Sequence, residues 1–302
     1  MKSQSTSLAI RRFVAYSVLI ILTFLSLFPF FILIINSTRG HADIQKGFSA
    51  FPGSFLIKNL VAMVTGNASE EQLAAKGVLG MMMSSDNNNP VMPALFNSVF
   101  VSFMCAVLTT YFSSMTAYGI YMYRFKGRKF SFRFILAVMM VPAQVSTLGF
   151  ITLITKIGMI DTLAALYIPS IAAPIVFFYI YQAMESTLPY SIVEAARVDG
   201  CNEFRTFNTI VLQMMKPSIA VQAIFSFVSS WNNYFTPQLV ISSKMKKTIP
   251  ILIAQLRSAD YQKFNMGSVY MTITAAIVPL IIVYLFLSRS IISGATAGGV
   301  KE

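Results

Sequence analysis

The chain has 302 residues, of which 56% are hydrophobic and only 11% charged, and its mean hydropathy is +0.67. A soluble domain carries about 25% charged residues, so the missing charge excludes disorder and argues for an integral membrane protein. The net charge of +12 does not point to nucleic acid, because the basic residues form short clusters beside apolar segments, the pattern of cytoplasmic flanks of membrane helices.

A spanning helix needs roughly 20 mainly apolar residues. The first such run is Phe13 to Ile35, after a short N-terminus of residues 1–12 that contains Arg11-Arg12. The run is longer than a signal-peptide core and Asn36-Ser37-Thr38 offers no small-x-small cleavage site, so it reads as an uncleaved span. Residues 36–90 follow as a polar external loop with balanced charge. It holds the Pro52-Gly53 turn, the Asp86-Asn87-Asn88-Asn89-Pro90 turn cluster and a short helix expected around Glu70 to Lys76.

Five further spans are expected within residues 91–302: Val91 to Tyr121, Phe134 to Ile154, Leu163 to Ala183, Ser218 to Val240 and Val269 to Leu287. The expected fold class is therefore all-α integral membrane, with six transmembrane helices. The basic group Arg124, Lys126, Arg128, Lys129 and Arg133, on a short connection, belongs on the cytoplasmic side. Counting from it puts both termini and the polar loop 184–217 inside. The same count puts Ile241 to Ser268 outside despite its basic excess, the weakest point of this topology.

Several spans are rich in small and hydroxyl residues, as Val91 to Tyr121 is with Ser98, Ser102, Thr109, Thr110, Ser113 and Ser114. Such residues serve tight helix packing or a water-lined path. No Asp or Glu lies deep in a span, which weakens a proton-coupled carrier. His41 is the only histidine, and Cys105 and Cys201 are two lone thiols, so neither a metal site nor a disulfide is expected. There is no phosphate loop and no nucleophile elbow, so no enzymatic reading survives.

The polar loop 184–217 carries the most information. Pro189 is placed to open a helix, Ile192, Val193 and Ala196 form an apolar strip, and Gly200 permits a sharp turn. Asn202 is a plausible N-cap, and Phe204, Phe207, Val211 and Met214 recur at helical spacing. The prediction is two short helices at an angle, with one apolar face and exposed charges Glu194, Arg197, Asp199, Glu203 and Arg205. An amphipathic pair lying on anionic lipid would carry a basic excess, and this one does not.

Glu194-Ala195-Ala196, then Asp199-Gly200, then Ile210 and Leu212, resembles the EAA motif of bacterial ABC importer permeases; Gln213 and Cys201 depart from it, where Pro and Ala are usual. Asn97-Ser98, Ala117-Tyr118 with Phe125-x-Gly127-Arg128, Trp231-Asn232 with Pro237, and the tail Thr296 to Lys301 resemble segments of carbohydrate-class permeases of the maltose G-subunit type. Asn233 stands there where an acidic residue is common, and Tyr234 in place of Phe.

The resemblance implies a type I permease that is a non-catalytic subunit in a bacterial plasma membrane. It implies a second permease subunit, a cytoplasmic ABC ATPase dimer that holds ATP and Mg, and an external sugar-binding protein. This chain itself would bind no cofactor and no metal. Glu194, Ala195, Ala196, Asp199, Gly200, Phe204 and Phe207 would dock on the ATPase, and Ala297, Gly298, Gly299 and Val300 would reach between its subunits. Gln144, Ser229, Trp231, Asn232, Asn233 and Tyr234 are the candidate path of a sugar, most naturally an oligosaccharide. Arg257 and Tyr261 are candidate contacts of the binding protein. The alternatives are an ABC permease for another solute and a secondary carrier; a carrier acting alone should be indifferent to Gly200.

Overall fold

The computed structural model describes residues 2–66, 77, 89–258 and 265–298, with the side chains of all these except residues 2–10, 143–144, 257–258 and 287–298. The helix expected around Glu70 to Lys76, Asp86 to Asn88, Tyr261, Gly299 and Val300 lie outside the described residues, as do the side chains of Gln144 and Arg257.

Among the described residues every regular element is helical. Four segments are long and apolar enough to cross a membrane: Arg11–Ser37, Val91–Met122, Ala164–Thr187 and Met266–Phe286. A fifth arises if Glu203–Met214 and Lys216–Trp231, bent by 82° at their break, count as one.

The expected spans that fall short are interrupted for visible reasons. Phe134 to Ile154 divides between the helices Arg128–Met139 and Ala143–Lys156. Pro142 lacks an amide donor and biases Val141 away from helical backbone, so the helix cannot run through. Ser218 to Val240 divides at Asn232–Tyr234 between the helices Lys216–Trp231 and Phe235–Val240. The C-terminal helix runs from Met266 to Gly298, past the expected end of the span, so that Ala297 and Gly298 close a helix.

The chain divides into two compact units. One comprises residues 1–91 and 255–277. Here the chain leaves its first helix at Ser37 and turns back over Arg39. The buried Arg39 guanidinium donates to Asn36 Oδ1 at 3.1 Å and to the carbonyls of Gly47 and Asp43. Buried Asn59 donates to the carbonyls of Ser37 at 2.8 Å and Arg39 at 2.9 Å. Gly267 packs so close to this knot that a Cβ would lie 2.5 Å from the Asn59 amide.

The other unit comprises residues 92–254 and 278–302. Its main core joins the C-terminal half of Val91–Met122, the helix Pro174–Thr187 and the polar loop, through Tyr118, Tyr121, Phe177, Ile180, Tyr181, Met184, Leu188, Val193, Phe207, Val211 and Met215. Near the N-terminal end of Val91–Met122, Asn97 Nδ2 donates to the carbonyls of Met245 and Lys247, and Ser98 Oγ accepts from the Ile249 amide at 2.8 Å. These two residues of the second span thus fasten a segment about 150 residues away in the chain.

Candidate functional site: a projecting turn and a hydroxyl-lined cavity

The polar loop folds as a helix–turn–helix. Pro189 caps Tyr190–Val198, whose end is closed at Gly200 with φ +77°. The Cys201 amide donates to the Ala196 carbonyl at 2.9 Å and the Gly200 amide to that of Arg197 at 3.0 Å. This paired closure needs a left-handed residue, and glycine is the one that adopts it without steric cost. The Asn202 side chain then accepts from the Arg205 amide at 2.8 Å and caps Glu203–Thr206. Residues Phe207–Val211 widen into a π turn before Leu212–Met214, and the chain bends into Lys216–Trp231 with Pro217 in its first turn.

The π turn changes which residues share a face. An uninterrupted α-helical repeat would put Phe204, Phe207, Val211 and Met214 together. Instead the residue buried beyond Val211 is Met215, with Met214 only half-buried; before the π turn Phe207 is 2% exposed, and Phe204, in the first turn of Glu203–Thr206, is 68% exposed. Phe207 is the inward root of the element, set against Tyr111 and Tyr118 at ring distances of 5.7 and 5.5 Å. Ala196 is likewise buried, and of the expected strip Val193 is fully buried and Ile192 half-buried. Glu194, Ala195, Asp199, Gly200 and Phe204 face outward, together with Val198, which is 87% exposed. A Cβ at Gly200 would meet nothing within 4 Å, so the glycine answers a backbone requirement rather than crowding.

Glu203 is not a free surface charge. Its carboxylate accepts from Arg197 Nε at 2.6 Å and Tyr118 Oη at 2.8 Å. Partial burial opposes its ionisation, but the hydrogen bonds from Arg197 and Tyr118 and the Arg197 charge outweigh burial and hold Glu203 below the usual glutamate range.

The same unit carries a wide-mouthed cavity of about 1010 Å³. Gln222, Ser226, Ser229, Ser230 and Asn233 line it from Lys216–Trp231 and the break beyond. Cys105, Thr109, Ser146, Thr147 and Ser170 supply further polar atoms from three other segments, and Phe150, Tyr179 and Phe225 supply aromatic faces. No Asp, Glu, Lys or Arg stands among the described lining residues.

Of the sequence candidates for a solute path, Ser229 and Asn233 line this cavity. Trp231 is 3% exposed and stacks on Phe227 at 5.8 Å, while Asn232 and Tyr234 are exposed outside the lining. Tyr179, Ser146 and Ser170 were not anticipated. Each is unremarkable in its own segment, and only the packing of several helices brings them to one wall.

Among the described residues no group of His, Cys, Asp and Glu is placed to hold a metal ion. What the geometry offers is an uncharged chamber rich in hydroxyls beside a projecting, internally braced turn. That outline fits a membrane permease. Residues 109–294 match the family described as binding-protein-dependent transport system inner membrane component, and the chain belongs to that family.

Among its relatives is the arabinooligosaccharides transport system permease protein AraQ of Halalkalibacterium halodurans. It is 39% identical over 208 residues, which cover 68% of this chain and 72% of that one. The lactose transport system permease protein LacG of Rhizobium radiobacter is 29% identical over 95% of this chain and 96% of its own. The fold matches a chain in the crystal structure of a bacterial ABC transporter involved in the import of the acidic polysaccharide alginate. The TM-score is 0.75 at 19% identity, covering 93% of this chain and 96% of that one.

Proposed function

We propose that this chain is the permease subunit of an ATP-driven importer for an uncharged sugar, most naturally an oligosaccharide handed over by an external binding protein. The observation that carries the reading is the turn at Gly200. Its outer face leaves Glu194, Val198 and Phe204 exposed while its inner face is built into the core of the helical unit. A subunit driven by a separate ATPase needs an outward surface on a loop rooted in its helices, and exposed Val198 and Phe204 beside Glu194 supply one.

In this reading the ATPase dimer holds ATP and Mg, and the second permease subunit completes the pathway. Both termini and the turn face the cytoplasm, and six spans cross the membrane, two of them broken at Pro142 and at Asn232–Tyr234. Glu194 pairs with a basic residue of the ATPase groove, and Val198 and Phe204 fill its apolar floor. Ala297 to Val300 extend toward the ATPase interface, and the segment of Arg257 and Tyr261 toward the binding protein. ATP closes the ATPase dimer, and the docked turn carries that movement into the helices; the shift is limited by the differential affinity of ATP for the two states.

The cavity supports an uncharged solute. Its amides and hydroxyls suit sugar hydroxyls, and Tyr179, Phe150 and Phe225 suit the apolar face of a pyranose or furanose ring. A charged solute would need a counter-charge that the described lining does not offer. The test is gentle extraction of the tagged chain from its native membrane. The reading expects a second permease, an ATPase and a sugar-binding protein to accompany it. Recovery of the chain alone, with uptake persisting after ATP depletion, would establish a secondary carrier instead.

A further inference from the structure

Arg197 and Glu203 stand on opposite arms of the Gly200 turn, outside the Glu194-Ala195-Ala196…Gly200 set. Both are spoken for within this chain. Arg197 Nε donates to Glu203 Oε1 at 2.6 Å, which ties one arm to the other. Tyr118 Oη, 85 residues away in the chain, donates to Glu203 Oε2 at 2.8 Å, which ties both arms to the C-terminal end of Val91–Met122. Just beyond that end, Tyr123 places its ring centroid 5.5 Å from the Arg197 guanidinium.

The apolar contacts below this cluster resist separation but do not fix an angle. Burial of Val193, Phe207 and Val211 is non-directional, so a turn rooted by them alone can rock under load. Charge-assisted hydrogen bonds are short and angular, and a carboxylate accepting one on each oxygen fixes orientation. Two other bonds run the same way. Tyr190 Oη donates to the Tyr121 carbonyl at 3.1 Å, and Tyr111 Oη to Asn208 Oδ1 at 3.2 Å.

We propose that Arg197, Glu203 and Tyr118 form the joint that makes the turn and the Val91–Met122 helix move as one body, acting as positioning residues for the coupling of hydrolysis to transport. This rests on the reading of the turn as an ATPase dock. Both parts of Tyr118 serve the joint: its ring packs on Phe207 at 5.5 Å, and its hydroxyl reaches the Glu203 carboxylate.

The test uses the whole complex in proteoliposomes loaded with ATP, with uptake and hydrolysis measured on the same preparation. Tyr118→Phe keeps the ring and removes the donor, and Glu203→Gln keeps the shape and removes the charge. Each is expected to leave ATPase co-purification unchanged and to lower solute moved per ATP hydrolysed about tenfold, the scale of one hydrogen bond to a charged group. The double variant should be no worse than either single one, because both break the same link. An unchanged ratio, or losses that add, would overturn the joint. So would loss of ATPase co-purification in the single variants, since the cluster would then shape the dock rather than transmit its motion. A wild-type chain that recovers no ATPase would instead remove the dock reading itself, before any variant is compared.

Discussion

Phe204 and Phe207 are three residues apart and serve opposite purposes. Phe207 is enclosed between Tyr111, Tyr118 and the core below the turn, while Phe204 stands in the open beside the Gly200 turn. Phe207→Ala should therefore destabilise the helical unit by about 3–5 kcal/mol, the usual effect of truncating an enclosed aromatic ring. Phe204→Ala should leave the melting temperature of the isolated chain within a degree or two and weaken its hold on the ATPase. Thermal unfolding paired with co-purification separates the two. Equal effects of both substitutions on melting would contradict the assignment of outward and inward faces. Regular spacing in the sequence put both rings on one face; they part because Phe204 lies in the first turn of Glu203–Thr206, beside the exposed Gly200 turn, whereas Phe207 lies further along against the core.

At the scale of elements, two polar fastenings hold segments that are remote in the chain. Asp161 takes the left-handed conformation at φ +56° and receives the amides of Ser242 and Ser243, both at 2.9 Å, with the Ser243 hydroxyl and the Lys246 ammonium. The hydrogen bonds from Ser243, with further ones from Ser242 and Lys246, hold its carboxyl well below the usual aspartate range. A carboxylate with a depressed folded-state pKa contributes its full stabilisation above its unfolded value of about 3.9, and loses it only as pH falls through the lower folded value. Hydrogen-exchange protection at Ser242 and Ser243 should therefore be constant between pH 7 and pH 5 and should fall in Asp161→Asn at any pH. Protection that already drops on going to pH 5 would contradict this account.

The second fastening is the Asn59 knot. Gly267→Ala places a methyl group 2.5 Å from the Asn59 amide and 2.7 Å from the Arg39 carbonyl, so the knot must open. About 1–3 kcal/mol of destabilisation is expected, the usual effect of overpacking. Faster proteolysis at Arg39 would report it, and wild-type resistance would show that the approach is looser than described.

Elements of this kind differ in how far the sequence announces them. The helix after Pro189, the glycine turn and the Asn202 cap were legible because each rests on a local backbone preference. The break at Pro142 carried such a local signal in the proline itself, but a hydropathy window passes across it, as it does across the break at Asn232. The Asp161 and Asn59 fastenings join positions about 80 and 20 residues apart, a distance no periodicity reports.

Over the whole molecule, the family is carried by the 109–294 match, and the proposed function rests on the pairing of an uncharged cavity with an outward-facing turn. The sequence located the turn more fully than the chamber. The turn is one contiguous stretch, whereas the chamber draws its wall from four separate segments, so that Ser229 and Asn233 were foreseeable and Tyr179 and Ser146 were not. The central claim is that the outer face of the turn touches an ATPase chain. The most direct measurement replaces Val198 with cysteine in a Cys201→Ser background, extracts the complex and applies a short thiol crosslinker, followed by peptide identification. The account predicts a crosslink from position 198 into a partner chain that carries a Gly-x-x-x-x-Gly-Lys-Ser/Thr phosphate loop. A position 198 that reacts freely with solvent reagents in the intact, transporting complex, and crosslinks to no such chain, would contradict it.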